Sequence, residues 1–176
     1  MACLDDNFSL QIKKINYKKI WRNLIMYRNL QNFFNKNANA MFFASEDSVR
    51  GRLVVADYET GTFSNAATPT DDVYVLDKEQ IPSGVNVVFN YMSDYDPQFE
   101  NVKQGEYGIL IKHAAGERFS TDQFVTDTYS EGDYLTCASG ADAGKFTKAA
   151  SGTTTKFKFV GTVVENGHEL IKVQVV

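Results

Sequence analysis

A chain of 176 residues with 43% hydrophobic and 13% aromatic content can bury a core, which excludes a disordered or low-complexity protein. Its net charge of −4 is unevenly spread: residues 1–40 hold seven Lys and Arg against Asp5 and Asp6, a net +5, so the remainder carries −9. No apolar run reaches the ~18 residues of a membrane-spanning helix. Cys3 and Cys137 lie too far apart to suggest a disulfide framework or a metal knuckle.

In chain order, the first 40 residues read as a basic arm. Ile12, Ile15 and Ile20 lead into Trp21, Leu24, Ile25, Arg28, Leu30, Phe33 and Phe34, and these spacings of three and four predict an amphipathic helix over roughly 13–35. The Asn-rich run 35–39 ends it. The stretch around Leu24-Ile25-Met26 is broken by Arg22, Asn23 and Arg28, so it does not read as a secretory signal. Ile20-Trp21-Arg22-Asn23 is encodable by a GGAGG-containing stretch shortly before Met26, so Met26 is an alternative expected start of translation beside Met1. The positive charge reads first as a solvated helix face, second as a means of docking on an acidic surface. The arm holds no nucleic-acid reading motif, so nucleic acid is not an expected partner.

After residue 40 the period becomes two. Strands are predicted over 52–57, 72–76, 85–91, 107–112, 123–129, 133–138, 144–149, 154–164 and 168–176, each rich in β-branched or aromatic residues and bounded by Gly, Asn, Asp or Pro. Residues 60–70 and 93–100 read as exposed loops. The last hairpin is the clearest: Asn166-Gly167 suits a type I′ turn. On its flanks Phe157, Phe159, Gly161 and Val163 are expected on one face, matched by Ile171, Val173 and Val175, with Lys156, Lys158, Lys172 and Gln174 outward. Gly161 inside the strand predicts a bulge.

The fold class expected is therefore mainly β, an antiparallel barrel or sandwich with an N-terminal helical or extended arm. The arm spans 1–40, the β-rich body 41–176, and a C-terminal barrel about 105–176.

Candidate chemistry is sparse. His113 and His168 have no flanking nucleophile signature. Cys137 with both histidines would lack a fourth zinc ligand. Asp94, Asp96 and Glu100 lack the twelve-residue calcium-loop pattern, and the two Asp lie too close in one loop to act across a sugar ring. Ala138–Lys145 is Gly-rich but lacks the Gly-Lys-Ser/Thr ending of a phosphate loop, so it reads as a hairpin loop. No catalysis and no cofactor or metal are expected.

The run Glu131-Gly132-Asp133-Tyr134-Leu135, through Gly144-Lys145-Phe146-Thr147-Lys148-Ala149 to Val160-Gly161-Thr162-Val163 and Ile171-Lys172-Val173, resembles small capsid-decoration and cement proteins of tailed bacteriophages. These share a Gly-Asp … Gly-Lys-Phe … Ala … Val-Gly-x-Val … Val rhythm on a compact β-barrel. The resemblance covers about 105–176. It implies a virion structural protein made in a bacterial cytoplasm. Such a protein binds the major capsid protein or another virion protein, stabilises the shell, and forms a homo-oligomer such as a trimer. Trp21, Leu24, Arg28, Phe33, Phe34, Phe42 and Phe43 are the expected capsid or subunit contacts, and deleting residues 1–40 is expected to weaken binding while the C-terminal barrel still folds. The competing reading is a carbohydrate- or receptor-binding module of a tail or fibre, with Tyr91, Tyr95, Tyr107, Tyr129 and Tyr134 as stacking candidates.

Overall fold

The computed structural model describes residues 27–31, 38–68, 72–78, 101–165 and 167–176, with side chains from residue 41 onward. The described chain is mainly β. Five strands close a barrel in the order β2 (Ala38–Ala44), β5 (Thr62–Asn65), β4 (Leu53–Asp57), β6 (Tyr74–Asp77), β8 (Tyr107–Lys112). Only the β2–β5 pair is parallel, over Phe43–Thr62 and Ala44–Phe63. Short strands β3 (Ser48–Val49) and β7 (Asn101–Val102) pair beside it.

An open six-stranded sheet follows the order β1 (Tyr27–Gln31), β9 (Arg118–Thr121), β13 (His168–Val175), β12 (Phe157–Glu165), β10 (Tyr134–Cys137), β11 (Phe146–Lys148). Closure thus falls on strands between residues 38 and 112. The barrel expected over 105–176 is corrected: apart from β8, its strands build the open sheet. Local alternation reports which face of a strand is apolar and says nothing of whether the sheet's edges meet.

Two cores result from that alternation. Inside the barrel, Phe63 packs with Phe42, Val54, Tyr74, Leu76 and Leu110. Gly108 makes room for it, since a Cβ there would come within 2.8 Å of the Phe63 ring and 2.6 Å of Leu76. The second core is the seam between barrel and sheet. Leu53, Val75 and Ile111 point out of the barrel onto Phe119, Phe157 and Val173 of the sheet's inner face. Burying one such side chain contributes about 1.5–3 kcal/mol.

The backbone sews the two halves together. Leu53 N donates to Gly144 O at 2.7 Å, and Gly144 N donates to Ala66 O at 2.8 Å. Gly144 has φ +81°, and a Cβ there would stand 2.7 Å from Leu53 O. Residues 138–145 do form the hairpin loop between β10 and β11, with a 3-10 turn at Gly140–Asp142. The amide of Gly144 that a phosphate loop would offer to an anion is spent on the barrel.

Several expectations change here. Tyr27–Gln31, expected within a helix, is a strand paired antiparallel with β9; satisfying an open sheet edge outweighs helical periodicity. The rest of the 13–35 helix lies outside the described residues, as do 85–91. Residues 62–65, expected in a loop, form β5, and Phe63 is 1% exposed. Residues 123–129 make no strand; Phe124 only bridges Phe146. The bulge at Gly161 is present between Phe159 and Gly161. Its extra residue reverses the phase of the strand, so Val163 pairs with Leu170, and Ile171 faces Thr162.

Candidate interaction surface

Strand β2 alternates in the barrel wall. Phe42 and Ala44 point inward and are buried, whereas Met41 and Phe43 point outward and are 68% and 41% exposed. Across the β2–β8 ladder Phe43 stands opposite Tyr107 and Met41 opposite Ile109. Tyr107 is 53% exposed, and its ring lies 3.9 Å from that of Phe43, centroid to centroid, at 33°. Met41, Phe43 and Tyr107 therefore form a continuous apolar strip on the outside of the barrel.

The strip rests on a braced wall. Phe42 meets Tyr58 edge to face at 5.3 Å, and the Tyr58 hydroxyl hydrogen-bonds that of Tyr74. That bond, with burial second, pushes the Tyr74 hydroxyl up to about 12. Lys112 lies over the Tyr74 ring at 5.2 Å and pairs with Asp72 at 2.6 Å.

Charged groups sit beside Tyr107 in sequence and space. Lys78 and Glu106 pair at 3.0 Å, Lys103 and Asp47 at 2.9 Å. The Lys103 ammonium, then the Gln104 amide, hold the Asp47 carboxyl below its usual range. The Lys103 amide and the Lys78 ammonium do the same to Glu106. An apolar centre with a polar rim is the composition of a protein-docking patch.

Of the expected contact residues, the structure brings Phe43 to the surface and places Phe42 in the barrel interior. Arg28 occupies the register position opposite Ser120 in β1. Trp21, Leu24, Phe33 and Phe34 lie outside the described residues, as do Tyr91, Tyr95, Asp94 and Asp96. Tyr129 stacks on Phe159 at 5.4 Å and donates to Val125 O at 2.5 Å, a packing role. Met41 is the residue the sequence reading passes over; its signal is the outward phase it shares with Phe43.

The other titratable groups are enclosed. His113 Nδ1 donates to Glu117 Oε2 at 2.9 Å, with side-chain exposures of 1% and 0%, and the imidazole stacks on Phe119 at 4.7 Å. Burial lowers the pKa of His113 despite Glu117. Cys137 is a free thiol, raised by burial, beside a cavity of about 190 Å³ at the seam, floored by Leu53, Leu135 and Phe157. Among the described residues no group of three His, Cys, Asp or Glu could hold a metal ion, and no helix is long and apolar enough to cross a membrane. Comparison of the chain with protein-family models, curated proteins and solved structures finds no match in any of the three.

Proposed function

We propose that the chain is a virion structural protein that binds and stabilises a capsid shell without catalysis, docking through the outer wall of its barrel. The observation that carries this reading is the Met41–Phe43–Tyr107 strip. Met and aromatic side chains are enriched at the cores of protein interfaces, and anchors of this kind supply ~2 kcal/mol or more each once buried. The resemblance of residues 105–176 to decoration and cement proteins supports a capsid as the partner. A shell also repeats its sites, so modest contacts gain avidity from symmetry.

The packing of Phe43 on Tyr107 favours a protein partner over a sugar. Each ring already spends one face on the other, which reduces the open ring area on which a sugar could stack. The test is the protein content of purified virus particles from the culture that encodes the chain. The proposal expects a fixed copy number per major capsid subunit. Absence from particles, or hits on a glycan array instead, would remove it.

A further inference from the structure

The outer face of the six-stranded sheet carries three cations that pair with no carboxylate among the described residues. Arg50, Lys78, Lys103, Lys112, Lys145 and Lys148 each pair with a carboxylate at 3.0 Å or less. Arg118, Lys158 and Lys172 make no ion pair among the described residues, and all three stand on this one face. The register shows it. Arg118 is opposite Gln174, which is opposite Lys158, while Ser120 is opposite Lys172 in the neighbouring row. Their chain neighbours Phe119, Phe157 and Val173 point the other way, into the seam core. With strands ~5 Å apart and alternate residues ~7 Å apart, the three cations fall within a patch ~10 Å across.

Two of these cations are held without being neutralised. Arg118 Nη2 donates to Gln174 Oε1 at 3.2 Å, and the Lys158 ammonium lies 5.1 Å over the Tyr134 ring. The Gln174 amide, the Tyr134 phenol and the cations are among the groups that contact sugar and phosphate oxygens. The exposed Met41–Phe43–Tyr107 strip lies on the barrel and is separate from this face.

We propose that this face binds single-stranded nucleic acid through its phosphates, independently of the barrel strip. Three phosphate contacts give a slope of log K against log salt of about −2, at about −0.7 per contact. The probe is a fluorescein-labelled oligo(dT) longer than the ~16 nucleotides that the largest single folds cover, read by anisotropy across a salt series. The full chain is expected to bind saturably with that slope, and the K158Q/K172Q double variant with a slope near −0.7 and an unchanged thermal melt. An M41D/F43D variant is expected to bind as the parent does, which separates this proposal from the shell-docking one. Absence of saturable binding, or a slope that K158Q/K172Q leaves unchanged, would overturn it. Binding of labelled oligoglutamate but not oligo(dT) would also overturn it, in favour of an acidic protein partner.

Discussion

The barrel and the six-stranded sheet are built from the same two-residue alternation, yet they present opposite surfaces. In the barrel one phase of each strand fills a closed interior around Phe63, and the other phase is split. Part of it, through Val75 and Ile111, is buried at the seam, and part, at Met41 and Phe43, is left bare and apolar. In the sheet one phase packs into the seam through Phe119, Phe157 and Val173, and the other carries Arg118, Lys158 and Lys172. The difference teaches that burial, not strand sequence alone, decides what an outward residue can do. An apolar outward residue on an uncovered wall stays exposed to solvent, while the same residue under the sheet is core.

The comparison breaks most severely if the barrel loses its filling. Phe63→Ala is expected to cost about 3–5 kcal/mol, the range for truncating a fully buried Phe, and chemical denaturation should show it. A loss under ~1 kcal/mol would mean the interior is not the packed core described. Deleting residues 1–40 belongs with this class. It removes β1 and three residues of β2, so the barrel is expected to open and bind a hydrophobic dye, and the deletion cannot isolate an arm.

The join between the halves comes next. Gly144→Ala places a side chain at φ +81° and within 2.7 Å of Leu53 O; strain of this kind costs about 1–3 kcal/mol. Hydrogen exchange should report faster opening at Leu53 and Ala66 than at the β12–β13 hairpin. Uniform slowing or no change would show the stitch to be dispensable.

Acid offers a gentler probe of the two buried imidazoles. His113 and His168 both have pKa values lowered from 6.5, the cause in each being burial, opposed at His113 by Glu117. The folded state thus binds these protons less tightly than the unfolded chain. Their contribution is fully present above pH 6.5 and is lost as pH falls through 6.5 toward the depressed values. The melting temperature should decline between about pH 7 and 5. His113→Gln with His168→Gln should flatten that window. The further decline below pH 3.8 should remain, because Asp47, Asp133 and Asp142, lowered from that value by their lysine partners, protonate there. An undiminished slope in the double variant would place the acid sensitivity elsewhere.

Smallest in stability, and most specific, are the surfaces. Met41→Asp with Phe43→Asp is expected to cost about 0.5–1.5 kcal/mol in chemical denaturation, the worth of the Phe43–Tyr107 ring pair, because both side chains stand outside the barrel.

Much of the fold was legible from strand composition. Tyr107–Lys112 and the β12–β13 hairpin with its Gly161 bulge follow from β-branched runs and turn residues. What local pattern could not carry was pairing at a distance. Tyr27–Gln31 becomes a strand because β9 offers it an edge. Thr62–Asn65, with one apolar residue, becomes one because β4 and β2 flank it. The site was half legible for the same reason: adjacent Phe42 and Phe43 look alike until the barrel wall assigns one inward and one outward. Lys158 and Lys172 read as outward from alternation, but Arg118 joins them only through the register of β9 on β13.

The most direct test of the docking account is co-sedimentation of the purified protein with capsid shells stripped of it. The parent chain is predicted to pellet with the shells to saturation, and the folded M41D/F43D variant to stay in the supernatant. Equal pelleting of the two would contradict the claim that the Met41–Phe43–Tyr107 strip is the docking surface.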